Sequence, residues 1–297
     1  MKQLLLIIAA MFILAPVVQA QDDLDSVIAA YEGYAGWASY AAQTSVRTQV
    51  AYSLNTEDET FSRTDSTLRG FDAVYDVGSS SVEGEFTESQ TGRVVTGRSV
   101  SRPSELSATL DVIGVDGTVY VAGDMEHDTD SLSMDEFEEA RDELQMLPLD
   151  EFADFGEFRD INEIIALLEE TGSVVSVRRT TTRQYEGELM VYELEVDVER
   201  ALEVLNIDLQ AQFAQLLGND AIDSQDLLAA MVENADLLMT VFLDAENGTL
   251  VGENVNLLIN IDWENDQIDD GSLFIEYSYD YLVRYDAINQ PVEILVP

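Results

Sequence analysis

The sequence predicts an α+β fold: a strongly curved antiparallel sheet, a half-open β-barrel, with helices covering its concave face. Three features predict it. Long segments alternate apolar and polar residues, turn residues fall between them, and stretches near 133–170 and 198–235 change to a helical period. Alternation marks antiparallel strands with one dry and one wet face, and about ten such strands must curl around something or pack against it. The two helical stretches have narrow apolar stripes suited to that task.

The first twenty residues form three zones: a basic start at Lys2, an apolar run from Leu4 to Ala15, and small or neutral residues at Val18-Gln19-Ala20. This is the order of a cleavable secretory signal, with cleavage expected near Ala20-Gln21 and a secreted or periplasmic destination. The apolar run is short for a bilayer span, which needs about 20 residues. No cysteine is present, so a lipid-modified cysteine is excluded along with disulfides and thiolate metal sites. The protein is therefore expected to be free of a stable membrane anchor.

Residues 21–297 read as a single domain, because no Pro/Gly/Ser-rich linker divides them. A helix is expected over 24–42, with Leu24, Val27, Ile28, Tyr31, Tyr34 and Trp37 spaced by three or four. From Thr44 the period becomes two: Val46, Val50, Tyr52 and Leu54 share one face, and Arg47, Gln49 and Ser53 the other. Further strands are expected at 70–77, 81–88, 92–101 and 107–115. Asp116-Gly117 between two apolar runs predicts a tight hairpin, since both turn positions need positive φ. Residues 123–136 read as a long acidic loop.

Helical stripes follow at Met134, Phe137, Ala140, Arg141 and Leu144, and at Ile161, Ile164, Ile165 and Leu168. Strands return at 173–181 and 184–197. Asp197 is placed to cap a helix whose stripe is Val198, Ala201, Leu202 and Leu205. Leu209, Phe213, Leu216 and Leu217 form the next stripe. Ser224 can cap a third helix, with Leu227, Leu228, Met231 and Ala235 on its face.

The last sixty residues are the clearest strands. Leu237, Met239, Val241 and Leu243 alternate up to the turn Ala245-Glu246-Asn247-Gly248. Val251, Val255, Leu257, Ile259 and Ile261 share one face; so do Leu273, Ile275, Tyr277, Tyr279, Tyr281, Val283 and Tyr285. Ile294 and Val296 are expected to close a final short strand.

Charge narrows the function. The chain has 59 acidic against 14 basic residues, a formal net charge of −45 at pH 7. After Lys2 every basic residue is arginine. A surface this negative repels polyanions, so nucleic acid is excluded as a partner. The acids are spread along the chain, which fits solubility in salty surroundings.

The order of elements, the segment Val241–Leu250 with Asp244 and Gly248, and the ending Tyr281–Pro297 with Asn289-Gln290-Pro291-Val292-Glu293-Ile294 together resemble the LolA/LppX-like lipoprotein-carrier superfamily. The resemblance implies a half-open barrel and helical lid around an apolar cavity that holds acyl chains. It implies no residue signature, because such binding depends on shape and apolar lining. The chain lacks the cysteine of lipid-anchored members.

Catalytic chemistry finds little support. His127 is the one histidine and lies in acidic surroundings, no Gly-x-Ser-x-Gly elbow exists, and a His-rich zinc site is impossible. Asp262, Glu264 and Asp266 resemble calcium ligands, but Gln267 stands where an EF-hand needs glycine and Leu273 where it needs glutamate. Glu126, Asp128 and Asp130 fail similarly. No cofactor and no enzyme activity are expected.

The expected function is binding of a hydrophobic small molecule or lipid, held through its acyl chain, as a carrier or sensor. Candidate cavity residues are Val50, Tyr52, Val112, Tyr192, Leu194, Met239, Leu257, Ile259, Tyr277 and Tyr279. The alternative is an acidic structural or interaction domain outside the cell, able to bind calcium through the acids above, with a solid core and no ligand cavity.

Overall fold

A computed structural model describes residues 21–55, 60–97, 99–100, 104–115, 118–127, 145–148, 161–184, 187–204, 224–265, 271–292 and 294. The signal segment, the stripe at 134–144 and the stripe at 209–217 lie outside these residues. The described chain is mostly antiparallel sheet with few helices. Its strands are β1 (Ser39–Asn55), β2 (Thr60–Asp76), β3 (Ser81–Thr96), β4 (Ser99–Val100), β5 (Ser104–Val115), β6 (Thr118–His127), β7 (Gln145–Pro148), β8 (Val174–Gln184), β9 (Gly187–Val196), β10 (Ala235–Asp244), β11 (Leu250–Asn265) and β12 (Gly271–Asp286). Helix α1 covers 21–34, followed by α2 (Ile161–Glu169), α3 (Val198–Val204) and α4 (Ser224–Glu233).

The chain divides into two compact units. The larger comprises Trp37–Phe158, Asp208–Leu237 and Asn254–Pro297; the smaller comprises Met1–Gly36, Arg159–Ile207 and Leu238–Glu253. Strands β10 and β11 pass from one set of residues to the other.

In the larger unit the hydrogen-bonded order is β7-β6-β5-β3-β2-β1-β12-β11, with β4 added to β3. Register fixes which side chains share a face, because a slip of one residue would turn every side chain over. Across β1 and β2, Ala42 faces Ala73 and Thr44 faces Phe71; onward, Phe71 faces Phe86, Phe86 faces Leu110 and Val112 faces Val121. Phe71, Ala73, Phe86, Leu110, Val112, Val119 and Val121 form one buried cluster, with Tyr75 and Val82 packed against it. Gly84 belongs to this layer: a Cβ there would lie 2.5 Å from the Asp72 carbonyl oxygen and 2.6 Å from Ala73 Cβ, so only glycine fits. Val115 pairs with Thr118, so β5 and β6 form a hairpin, as expected from sequence; the expected turn residues Asp116-Gly117 lie outside the described residues.

The smaller unit contains the order β11-β10-β9-β8, using the start of β11. Tyr192, Leu194 and Val196 of β9, Met239, Val241 and Leu243 of β10, and Leu250 of β11 are buried, as the alternation predicts. Val27, Ala30 and Tyr31 of α1 and Ile164, Leu167 and Leu168 of α2 are buried too. Asp197 caps α3: its Oδ1 accepts from the Arg200 N–H at 2.9 Å. The turn after β10 is organised by Asp244, whose Oδ1 accepts from the N–H groups of Glu246 and Asn247 at 2.8 and 3.1 Å. Gly248 sits there at φ 73°, a left-handed conformation that disfavours other residues.

Several boundaries differ from the sequence reading. Helix α1 ends at Tyr34 and β1 begins at Ser39, so Trp37 is not helical. Gly33 and Gly36 close the helix through a bond from the Gly36 N–H to the Gly33 carbonyl at 3.1 Å. Strand β2 begins ten residues before the expected position 70, and the expected strands 81–88 and 92–101 are largely one strand, β3. Their Ser/Thr-rich stretches hide the alternation while favouring extended backbone. Residues 123–127 belong to β6, not to a loop. Within the block read as helical, Gln145–Pro148 forms β7, because a four-residue run carries no period and its pairing with β6 decides. Ala235 opens β10 instead of ending α4. Asn234 stops the helix, its side-chain amide donating to the Ala230 carbonyl at 2.7 Å. Ile294 lies outside any strand.

Candidate ligand-binding face

The larger unit presents one continuous sheet face made of even positions on β1, β3 and β5 and odd positions on β2, β6 and β12. At one end it is aromatic. Trp37, Tyr40 and Tyr285 meet edge to face, with ring centroids 5.4 to 5.9 Å apart. Tyr40 stacks on Tyr75 at 4.6 Å, and Phe71 meets the edge of Tyr75 at 6.4 Å. Burial, and next the neighbouring Tyr40 phenol, raise the Tyr75 phenol far above the usual tyrosine range.

The buried cluster around Phe86 comes next. Beyond it the face changes character. Val46 and Val50 of β1 and Ile275 and Tyr281 of β12 are buried, whereas Tyr52, Tyr277 and Tyr279 among them are only half-buried. Val50 stands directly across from Tyr277, Tyr52 from Ile275 and Thr48 from Tyr279. Tyr52 also touches Phe61 at a centroid distance of 5.4 Å.

On the β2 side the same stretch is charged. Arg69 faces Val46, Asp65 faces Val50 and Arg63 faces Tyr52. Arg69 Nε lies 3.3 Å from Oε1 of Glu88, its cross-strand neighbour on β3. Arg63 Nε lies 2.6 Å from Asp65 Oδ2, off the line a hydrogen bond requires, so the contact is an ion pair. Sequence reading missed these four residues. The available signal was the even spacing of Arg63, Asp65 and Arg69, which puts them on one face of any strand that contains them.

The ten candidate cavity residues divide between the units. Val50, Tyr52, Val112, Leu257, Ile259, Tyr277 and Tyr279 lie in the larger, and Tyr192, Leu194 and Met239 in the smaller. Val50, Tyr52, Tyr277 and Tyr279 are brought together by the β1–β12 register. Val112 belongs to the buried cluster, and Ile259 is fully buried on β11, where Leu257 is half-buried. In the smaller unit Tyr192 lies beneath the Arg179 guanidinium, 5.9 Å from its ring centroid, and Arg179 also approaches Asp23 of α1 at 3.4 Å.

Among the calcium candidates, Asp262 and Glu264 are strand residues, since β11 runs to Asn265; Asp266, Asp128 and Asp130 lie outside the described residues. Among the described residues no group of three or more acidic or histidine side chains is arranged to hold a metal ion, and no helix is long and apolar enough to cross a membrane.

No protein-family model and no curated protein matches the chain. Among solved structures the chain is similar to a DUF1329 family protein from Desulfovibrio piger, at 7% identity over 93% of this chain and 95% of that one, with a TM-score of 0.20. It is also similar to a β-barrel-like protein of domain of unknown function DUF1849 from Brucella abortus, at 10% identity over 84% and 99%, TM-score 0.20. A third likeness is to the translocator domain of autotransporter NalP from Neisseria meningitidis, at 7% identity over 86% and 92%, TM-score 0.16. Likenesses this weak bear on neither ligand nor activity.

Proposed function

We propose that this is an exported, non-enzymatic binding protein of the lipoprotein-carrier type, which holds a hydrophobic ligand by its acyl chain. In this reading the sheet curves as a half-open barrel and its helices cover the concave side. The observation that carries the proposal is the uneven cover of the apolar face. Tyr52, Tyr277 and Tyr279 are half-buried although Val50, Ile275 and Tyr281 beside them are buried. Large apolar surface at the middle of a sheet's dry face is either packed by the chain or kept for a guest.

An acyl chain laid along β1 and β12 supplies binding without polar contacts. At about 25 cal/mol per Å2 of buried apolar area, one long chain contributes several kcal/mol. Lipid extraction of the native protein, read by mass spectrometry, tests this directly. Recovery of stoichiometric acyl lipid, and weaker displacement of a fluorescent fatty acid after Tyr277→Ala, are expected. Protein that contains no lipid and ignores the fluorescent probe refutes the carrier reading and leaves an acidic interaction domain.

A further inference from the structure

We infer that Arg69 is the head-group anchor of this face, and that the ligand is a single-chain amphiphile ending in a carboxylate. The inference rests on the carrier reading and adds the chemistry of the head group.

Arg69 stands where the face changes. Two residues along β2 is Phe71, and two residues back along β3 from Glu88 is Phe86, both in the buried cluster. In the other direction begins the half-covered stretch of Thr48, Tyr52, Tyr277 and Tyr279, which flanks the buried Val50. The cation therefore marks the boundary between packed core and incompletely covered apolar surface.

Its partner is placed to orient it. The Glu88 side chain is only 10% exposed and engages Nε, whereas the Arg69 side chain is 33% exposed. Among the described residues the two Nη nitrogens of Arg69 make no hydrogen bond or ion pair. A guanidinium held by Nε and open at Nη is a planar fork that matches the two oxygens of a carboxylate. The acid beneath is too covered to serve a cationic ligand in the same way. In a chain with a formal net charge of −45, an anion is attracted only where such a fork is built locally.

The track between β1 and β12 has the required length. From Val46 to Leu54 the strand advances eight residues, roughly 26 Å at about 3.3 Å per residue, enough for a chain of sixteen carbons. Arg63 is a natural control. It lies six residues from Arg69, about 20 Å along the same strand. Its ion pair with Asp65 is a same-strand pair, 39% and 22% exposed, near the start of β2.

The experiment compares palmitate with hexadecanol, which has the same chain and no charge, by calorimetry on the full-length protein. Wild type is expected to bind palmitate at least tenfold more tightly. Arg69→Gln should abolish that preference while leaving hexadecanol affinity within twofold, and Arg63→Gln should preserve it. If Arg69→Gln does not fold, Arg69→Lys takes its place and should lose most of the preference, having a charge but no fork. Equal affinity of wild type for the two probes overturns the anchor and spares the carrier reading. A preference that survives both Arg69 variants overturns it too. Failure of wild type to bind either probe removes the carrier reading, and the anchor with it.

Discussion

The hydroxyl of Tyr31 donates a hydrogen bond to Oε2 of Glu253, joining α1 to the start of β11 within the smaller unit. Both side chains are buried, with 0% and 1% exposure. A carboxylate removed from water needs donors, and α1 supplies one from the face whose helical spacing also buries Val27.

Removing that donor tests how α1 is held. Tyr31→Phe keeps the ring and leaves Glu253 one donor short, an expected loss of about 1–3 kcal/mol. Tyr31→Phe combined with Glu253→Gln should lose less than Tyr31→Phe alone, because a neutral amide is less costly to bury. Urea midpoints of the three proteins check this, and equal losses would contradict it.

The aromatic end of the larger unit makes stability depend on alkaline pH. Tyr75 has its phenol raised above the usual range by burial and then by Tyr40. In the unfolded chain a tyrosine loses its proton near pH 10, so below that pH the contribution is complete. Above it, the unfolded state sheds a proton that the folded state keeps, and stability falls by about 1.4 kcal/mol per pH unit for this one group. Between pH 10 and 11, where the unfolded tyrosine is only partly ionised, Tyr75→Phe should be less sensitive than wild type by about 1 kcal/mol. Chemical denaturation at the two pH values measures it, and the remaining tyrosines cancel in the difference.

Asn289 clamps the entry of β1. Its Oδ1 accepts from the Ala38 N–H at 2.7 Å, and its own N–H donates to the Ser39 carbonyl at 2.7 Å. It does so at φ 55°, in the left-handed region that asparagine tolerates better than alanine. Asn289→Ala should therefore cost about 2 kcal/mol, combining the lost side-chain bond with backbone strain. Asn289→Gly should cost about 1 kcal/mol less than that, since glycine relieves the strain. Thermal unfolding of both variants separates the two contributions.

The Asn289 result also explains part of what the sequence resembled. The residues that carry the resemblance, Asp244 with Gly248 and Asn289 near the end, hold turns and a strand entry together. Those roles are local geometry, and none of the three residues lies on the half-covered stretch of the face.

What the sequence determined by itself is what short range controls. Alternation placed Met239, Val241 and Leu243 inside, and Leu273, Ile275, Tyr281 and Val283 likewise. The pairing of β5 with β6 and the Asp197 helix cap were legible in the same way. The physics of each is contained within a few neighbouring residues. Strand register is different, because cross-strand neighbours are chosen by pairing and not by sequence distance. Nothing in the segment around Arg69 says that it stands beside Val46 and Glu88. Only tertiary structure put a half-covered cation on an apolar face, since a single-residue slip of β2 would have turned it to the other side.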